Sequence, residues 1–218
     1  RLVKLLSNIL IKLNSVSKQA LVFERVLEIL IAIVGRQVYI NLLVEYPRVL
    51  DMVIFLCSSS DWFAKQLARY PILLDELIDP EYLHSISHRK DLKIELDYLL
   101  ASIKSDDLEQ QMERLRQFKQ VQVLKVAALD VNNKVDIKEV AHTLSNVAEV
   151  ICKKVLAIVW AGMIIKHGQP ECVVDGKVRK ATMGIVAYGK MGGDELGYSS
   201  DLDVVFLHNS EAEKQLTS

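Results

Sequence analysis

The chain has 218 residues, of which 50% are hydrophobic and 25% are charged, so it can bury the core of one large or two small globular domains. Its formal net charge of −1 at pH 7 predicts no general electrostatic attraction to nucleic acid or to an anionic membrane. The three cysteines, Cys57, Cys152 and Cys172, have neither disulfide-framework nor zinc-ligand spacing, so we expect buried free thiols in a reducing compartment, the cytoplasm.

Apolar residues recur at helical spacing from the start of the chain. The pattern predicts a helix over residues 2–13 and one long helix over residues 17–46, which ends before Pro47 because proline disfavours a helical residue in front of it. The most apolar window, residues 26–34, is shorter than the ~20 residues that span a bilayer, so we expect no membrane-spanning segment. Since the chain starts with arginine inside an amphipathic pattern and shows no signal peptide, we expect a fragment of a longer protein.

Proline, serine and aspartate residues mark the ends of further predicted helices. The predicted spans are 47–57, a span to residue 70 capped by Ser60 or Asp61, 72–78 begun by Pro71, 90–103, a span capped by Asp106 with Glu109, and a span to residue 167 capped by Asp136. Asp79-Pro80 marks another interruption. His84 and His88 have no third ligand nearby, so we interpret them as surface residues. A succession of helices without strands between them predicts an all-α bundle over residues 1–168.

After Gly168 the pattern changes from helical to strand-forming. Residues 173–178 predict a short strand and a turn, and compact β-branched runs predict strands over residues 183–188 and 202–207. The sequence therefore predicts a second region over residues 169–218, in which a glycine-rich turn joins two strands.

Five of the nine glycines of the chain lie between residues 184 and 197. Residues 184–190 match the start of the phosphate-binding pattern GxxxxGK[ST], but they are strand-forming, and Met191 replaces the hydroxyl that would ligate magnesium. We therefore exclude a P-loop. The turn at residues 189–193 can still bring backbone amides close to a triphosphate, because glycine has no side chain, and a short helix starting near Gly192 would add to that anion site.

Two carboxylates, Asp201 and Asp203, open the last predicted strand. Residues two apart in a strand point to the same face, about 6–7 Å apart, and two carboxylates on one face favour a cation between or beside them. Mg²⁺ prefers such oxygen ligands and keeps waters and substrate phosphates as its other ligands. The pattern therefore predicts a magnesium–triphosphate site, to which Lys190 could add a positive charge.

Three segments of the chain resemble a known family. Gly189-Lys190, ten further residues and Asp201-Leu202-Asp203 resemble the signature of the polymerase-β-type nucleotidyltransferases, with lysine in place of the customary serine at position 190. The longer run over residues 188–203, YGKMGGDELGYSSDLD, resembles one family within that fold, the glutamine synthetase adenylyltransferases (glutamate-ammonia ligase adenylyltransferases). Residues 66–80 and 115–120 resemble the helical segment that precedes a catalytic domain in that family, so the resemblance covers nearly the whole chain.

The resemblance implies a mainly α fold: a multi-helix bundle over residues 1–168, followed by the first strands of a polymerase-β-type nucleotidyltransferase α/β domain, truncated, over residues 169–218. It implies Mg²⁺-dependent transfer of AMP from ATP to a tyrosine of glutamine synthetase, with release of pyrophosphate, as a control of nitrogen assimilation. By the same resemblance, Asp201 and Asp203 would be catalytic metal ligands. Ser200 would position the turn or touch a phosphate. The residues that would cradle the phosphates are Gly189, Lys190, Gly192 and Gly193.

The family carries two such domains, one that attaches AMP to glutamine synthetase and one that removes it. Gly197-Tyr198 resembles the C-terminal, attaching half, since the removing half more often has Asn-Phe there. Because glutamine and the PII signalling protein regulate this family, an alternative is a helical docking module that binds glutamine synthetase or PII without nucleotide. A nucleotidyltransferase of the same fold that modifies another protein, as in PII uridylylation, is a third hypothesis.

The chain ends at Ser218, shortly after the last predicted strand. The fold normally supplies a third carboxylate from a later strand, whereas Glu211 and Glu213 fall in a predicted polar loop. We therefore expect the 218-residue chain alone to be inactive or nearly so, with an exposed strand edge that invites pairing between copies.

Overall fold

The structure, a computed structural model, describes residues 1–79, 85–174, 177–210 and 215–217. The helices in these ranges are α1 Leu2–Leu13, α2 Gln19–Ile33, α3 Gln37–Glu45, α4 Pro47–Ser59, α5 Asp61–Arg69, the 3-10 helix η1 Pro71–Leu77, α6 Arg89–Ala101, α7 Leu108–Val131, α8 Ile137–His167 and the one-turn α9 Gly189–Gly192. The strands are β1 Pro170–Val174, β2 Lys177–Lys180, β3 Met183–Ala187, β4 Val204–His208 and β5 Gln215–Thr217. The predicted fold class, a helical chain followed by the first strands of an α/β region, is confirmed.

Several predictions concern residues outside the described ranges: the interruption at Pro80, the surface position of His84, the turn within residues 173–178, and the polar loop with Glu211 and Glu213. Within the described ranges, no helix combines the length and the hydrophobicity that crossing a membrane requires.

The chain forms two compact units. Unit 1 consists of Arg1–Ser85 and Leu124–Lys134, and unit 2 consists of Ile86–Val123 and Val135–Ser218. Helix α7 therefore contributes residues to both units. The domain division at residue 168 stays a prediction. The change from helix to strand does fall there, because α8 ends at His167 and Gly168 follows with a φ of +83°.

Helix α2 lies at the centre of unit 1, where it packs against α4 and α5. Its buried side chains recur at helical spacing and form one apolar face, which buries the helix against its neighbours. They are Val22, Val26, Ile29, Leu30 and Ile33.

The prediction of a single helix over residues 17–46 is wrong, because the structure divides it into α2 and α3. The Arg36 N–H donates to the Ile33 carbonyl oxygen at 2.8 Å, which closes a turn instead of continuing the α-helix. Gly35 lies inside this turn. Glycine costs a helix about 1 kcal/mol relative to alanine, so the break falls where helix propensity is lowest.

Both tyrosine–proline pairs end a helix, as predicted. Helix α3 ends at Glu45 and α4 begins with Pro47. Helix α5 ends at Arg69, and Pro71 begins η1. The segment predicted as a helix over residues 72–78 is therefore helical, but in the tighter 3-10 form.

Unit 2 contains an apolar cluster shared by α6, α7 and α8. Its buried members are Leu92, Leu96, Leu100, Leu115, Phe118, Val147 and Val150. Since α8 supplies members of this cluster from its first half, that half of the helix is held firmly in unit 2.

The strands of unit 2 form two small antiparallel sheets. The predicted strand near residue 173 is confirmed as β1, which lies between β2 and β5. In the second sheet, β3 pairs with β4, from Met183 opposite His208 to Ala187 opposite Val204. The connection between these two strands, residues 188–203, carries every residue that the sequence predicts for the site.

Two helix starts are capped by the side chains that the sequence predicts. Ser60 Oγ accepts a hydrogen bond from the Trp62 N–H at 3.2 Å. Asp136 Oδ1 accepts one from the Glu139 N–H at 2.8 Å. Each bond satisfies an N–H group that has no partner inside its own helix.

The prediction that Asp106 caps α7 is wrong. Asp107 Oδ1 accepts the hydrogen bond from the Gln110 N–H, at 3.0 Å. Helix α7 begins at Leu108, one residue later than predicted, so Asp106 lies in the preceding turn. Two successive aspartates offer the same capping signal, and the sequence does not distinguish them.

We expect Asp107→Ala to lower the free energy of unfolding by about 1 kcal/mol, because it removes the acceptor for an N–H group at the start of α7. Asp106→Ala is the matched control: it removes the same charge beside the same helix but no cap, and should change the free energy by less than about 0.5 kcal/mol. Urea denaturation followed by circular dichroism measures both. Equal losses in the two variants would contradict the assignment of the cap to Asp107.

The three cysteines are free thiols; Cys57 and Cys172 are buried, and Cys152 is partly buried. Burial raises the pKa of Cys57 to about 12, and this effect exceeds the lowering by the Arg25 guanidinium. Burial also raises the pKa of Cys152. Neither environment resembles that of a reactive cysteine, in which the pKa is lowered.

Cys57 should therefore resist alkylation by iodoacetamide in the folded chain at pH 8, since a pKa of about 12 instead of 9.0 leaves about a thousandfold less of the reactive thiolate. The same shift stabilises the fold fully below about pH 9, and this stabilisation is lost as the pH rises from 9 towards 12, because the unfolded chain ionises first. Mass spectrometry after timed labelling measures the reaction, with the urea-unfolded chain as control. Equal labelling rates in the two states would contradict the buried position.

Candidate functional site

The candidate site is built on the connection between β3 and β4. After β3 the chain enters α9 and then turns back, and we call residues 188–195 the glycine turn. The Tyr188 N–H donates to the Asp203 carbonyl oxygen at 2.8 Å, so the pairing of the two strands extends one residue beyond each of them. The glycine turn is therefore attached directly to the segment that precedes β4.

Gly189 and Asp203, two residues that the sequence predicts for the site, lie in contact. Gly189 has a φ of +53°, in the left-handed region that favours glycine. A Cβ atom at this position would overlap the Asp203 carboxylate oxygen Oδ2. The backbone conformation therefore favours glycine at residue 189, and any larger residue would also push the Asp203 carboxylate out of its present position.

Gly192 is required for a different reason. A Cβ atom there would lie 2.7 Å from the Ala187 carbonyl oxygen, which is a backbone atom and cannot move away without disturbing β3. At Gly193, by comparison, a Cβ atom would meet nothing closer than 3.5 Å, an ordinary contact distance. The sequence predicts the same role for these two glycines, but the structure gives only Gly192 a steric need for glycine.

A short helix is present in the turn, but α9 starts at Gly189 and ends at Gly192, so no helix N-terminus lies near Gly192 to add to an anion site there. The Gly192 N–H donates to the Tyr188 carbonyl oxygen and the Gly193 N–H to the Gly189 carbonyl oxygen, both at 3.0 Å. These two amides are engaged inside the turn. Their glycines therefore contribute a compact backbone to the site.

The prediction that a strand presents Asp201 and Asp203 on one face is also wrong. Strand β4 begins at Val204, and both aspartates lie in the segment without regular secondary structure before it. Both residues are exposed to solvent. Ionised carboxylates keep their hydration at such positions, so they are available to a cation without the cost of burying charge.

Ser200 closes the chain reversal that leads to these aspartates. Its Oγ accepts a hydrogen bond from the Gly197 N–H at 2.9 Å, and its own N–H donates to the Gly197 carbonyl oxygen at 3.1 Å. Lys190 is exposed on α9, and its carbonyl oxygen accepts from the Glu195 N–H at 2.7 Å. The Ser200 hydroxyl is thus bound to the backbone of the connection, whereas the Lys190 side chain lies at its surface.

A contact that sequence reasoning missed joins the glycine turn to α8. The His142 Nδ1–H donates to Asp194 Oδ2, although the two residues are 52 positions apart. Asp194 has a left-handed φ of +61°, a conformation that aspartate adopts more readily than most residues. No local pattern indicates a contact over such a separation, so the sequence contains no signal for it.

A cavity of about 470 Å³ lies beside this contact in unit 2. One wall is a single face of α8 that includes Ser145, Glu149 and Cys152, and the other is formed by β3 with Met191 and Asp194 of the glycine turn. The glycine turn is therefore not closely packed on α8 along its whole length.

Comparison with known proteins gives the same family as the resemblance of residues 188–203. The sequence profile of the glutamate-ammonia ligase adenylyltransferase family matches residues 50–218. A bifunctional glutamine synthetase adenylyltransferase/adenylyl-removing enzyme from Thioalkalivibrio sulfidiphilus is 45% identical over 196 residues, which are 90% of this chain and 20% of that protein.

Proteins of the same name from Nitrosococcus oceani and Shewanella oneidensis are 44% and 40% identical, over 86% and 95% of this chain. These matches cover 19% and 22% of those two proteins, so the chain spans about a fifth of the length of the curated relatives it matches. Because the family profile matches well over half of its residues, the chain belongs to the glutamate-ammonia ligase adenylyltransferase family.

Proposed function

We propose that the chain is part of an enzyme that transfers AMP from ATP to a tyrosine of glutamine synthetase and so controls nitrogen assimilation. The observation that carries the proposal is the contact between the Asp203 carboxylate and Gly189, which joins the two parts of the nucleotidyltransferase signature in space. The relatives support it, since they are named for attaching adenylyl groups to glutamine synthetase and removing them. We expect the enzyme in the cytoplasm, in keeping with three free thiols.

Asp201 and Asp203 are the residues that would hold Mg²⁺. Their exposed carboxylates supply the oxygen atoms that this cation prefers, so the residues fit the ion. When bound, Mg²⁺ would neutralise charge on the triphosphate and favour the departure of pyrophosphate. In the described part of the chain no three potential ligands come together, so waters, phosphate oxygens or further protein residues would complete the coordination.

The glycine turn would bind the phosphates of ATP. Gly189 and Gly192 let its backbone lie close to β3 and to Asp203, so the turn would hold a triphosphate next to the carboxylates. The exposed ammonium group of Lys190 would neutralise phosphate charge, and Gly193, whose N–H is engaged inside the turn, would contribute a backbone without a side chain beside it. Ser200 would act indirectly, by holding the chain reversal in front of Asp201.

In this reaction the phenolic oxygen of the target tyrosine forms a bond to the α-phosphorus of ATP while the bond to pyrophosphate breaks. We assign the chain to the attaching half on the resemblance of Gly197-Tyr198. A Cβ atom at residue 197 would make only an ordinary contact, 3.5 Å from Ser200 Oγ, so the local geometry admits a larger residue as well. The assignment therefore rests on the resemblance and needs a biochemical test.

We also propose that the 218 residues alone do not sustain AMP transfer, because the described part of the chain brings Asp201 and Asp203 to the site without a third potential ligand beside them. PII and glutamine are proposed regulators of the longer protein. Robust Mg²⁺-dependent AMP transfer to glutamine synthetase by the 218-residue chain would contradict the first of these proposals.

In a form of the chain extended to the length of its relatives, Asp201→Asn and Asp203→Asn should each lower AMP transfer at least about 100-fold, since each removes a charged metal ligand. Asp106→Asn, which removes an exposed carboxylate far away in the sequence, is the control and should keep full activity. Incorporation of labelled AMP into glutamine synthetase measures the effect.

The same assay separates the other hypotheses. UTP should not replace ATP, and faster transfer from UTP would contradict the proposed donor. If the aspartate variants lose removal of AMP but keep attachment, the chain comes from the removing half. If glutamine synthetase or PII binds without nucleotide and no AMP is transferred, the helical docking module is the better description.

Gly189→Ala should strongly reduce AMP transfer by the longer form, because a left-handed alanine costs about 1–2 kcal/mol and its Cβ atom would displace the Asp203 carboxylate. Gly184→Ala is the matched control, since a Cβ atom there meets nothing within 4 Å. We expect a loss of about tenfold or more for Gly189→Ala and none for Gly184→Ala. The same activity in both variants would show that the contact between Asp203 and Gly189 is not needed.

A further inference from the structure

A groove of about 770 Å³ runs between α6 and α8 in unit 2, and none of the residues predicted for the nucleotide site lines it. Its volume lies in the range of small-molecule sites. We call it the α6–α8 groove. The α6 wall consists of residues 89, 90, 93, 96 and 97, and the α8 wall of residues 150, 153, 154 and 157. On both helices this spacing corresponds to one face, so each wall is a continuous surface.

The walls of the groove are strongly basic. They carry five cationic side chains, those of Arg89, Lys90, Lys93, Lys153 and Lys154. Two carboxylates offset this charge. Glu149 Oε1 lies 2.5 Å from Arg89 Nη2 and 2.6 Å from Lys153 Nζ. Asp97 Oδ1 lies 2.6 Å from Lys154 Nζ. The groove therefore keeps an excess of three positive charges in a chain whose formal net charge is −1.

Lys90 and Lys93 account for much of this excess. Among the residues that the structure describes, neither lies within ion-pair distance of a carboxylate. They are three positions apart on α6 and are both exposed. Like charges at this spacing repel each other, and a bound anion would attract both ammonium groups and so offset their repulsion.

The floor of the groove is apolar and buried. Leu96 and Val150, which line it, are 1% and 6% exposed and belong to the apolar cluster of unit 2. A low-dielectric floor between charged walls strengthens the attraction of an anion relative to a flat, fully hydrated surface. The packed cluster also holds the two walls in place, so binding does not have to order them.

We propose that the α6–α8 groove binds a small organic anion that carries two or more negative charges on phosphate groups. Lysine ammonium groups are compact point charges that suit phosphate oxygens. The α6 wall, from residue 89 to residue 97, is about 12 Å long, which fits a molecule of up to about nucleotide size better than an extended protein segment.

The groove lies next to the cavity beside the glycine turn, so anion binding in the groove can affect that cavity. Lys153 of the groove also lines the 470 Å³ cavity beside the glycine turn, and so does its ion-pair partner Glu149. An anion that attracts the Lys153 ammonium group competes with the Glu149 carboxylate for it. Loss of this ion pair would change the face of α8 that lines the cavity beside the glycine turn. The bound anion is therefore placed to influence the proposed nucleotide site without occupying it.

The test is a titration of the ¹⁵N-labelled 218-residue chain with tripolyphosphate at low salt, in the absence of divalent cations, followed by amide chemical shifts. We expect shifts in residues 89–97 and 150–157, and weaker binding as the salt concentration rises. Asp203→Asn should leave these shifts unchanged, so failure of the proposed nucleotide site would not affect the result. Shifts confined to residues 189–193, or no shifts at all, would overturn the proposal.

Charge variants identify the side chains responsible. Lys90→Glu/Lys93→Glu should weaken tripolyphosphate binding about tenfold or more. Lys119→Glu/Lys138→Glu, which reverses two exposed lysines that do not line the groove, changes the net charge equally and should leave affinity within about twofold. Equal weakening in both variants would overturn the proposal, as would binding of a polyglutamate peptide without any binding of tripolyphosphate.

Discussion

The packing of the Asp203 carboxylate against the Cα atom of Gly189 constrains the whole connection between β3 and β4. The contact is kept only with a residue that has no side chain directly after Tyr188, and the left-handed φ of that residue favours glycine as well. Given that contact, the hydrogen bond between Tyr188 and Asp203 fixes the start of β4, and Gly192 packs the end of α9 on Ala187. The site is thus held by close approach of the backbone at Gly189 and Gly192 and by few side chains.

Much of the fold and the position of the site could be predicted because the deciding features are local. Proline at residues 47 and 71 ends a helix through its own ring, and Asp136 caps α8 three residues from its partner. At the site, the Asp203 carboxylate contacts a residue that has no side chain, Gly189. The residue types at these two positions therefore already indicate that the two can lie close together.

Other features of the fold could not be predicted, because the sequence pattern is compatible with two or more local structures. The apolar periodicity runs on through residues 34–36, so only the low helix propensity of Gly35 points to the break between α2 and α3. Asp106 and Asp107 offer the same capping signal, and only the hydrogen bond from the Gln110 N–H to Asp107 Oδ1 shows which of them is the cap. Leu202 alternates with its neighbours like a strand residue, although β4 begins only at Val204. The α6–α8 groove arises from two helices far apart in sequence, so the sequence does not reveal it.

The hydrogen bond between His142 and Asp194 has a consequence for the order in which the chain folds. The contact of Gly189 with Asp203 closes a loop of about 14 residues, whereas that of His142 with Asp194 closes one of 52. The longer loop costs about 1 kcal/mol more chain entropy to close, and it requires α8 and the strands that follow it to be in place. The glycine turn can therefore take its shape from residues 184–208 alone, early in folding, and become anchored to α8 only when the rest of unit 2 has assembled.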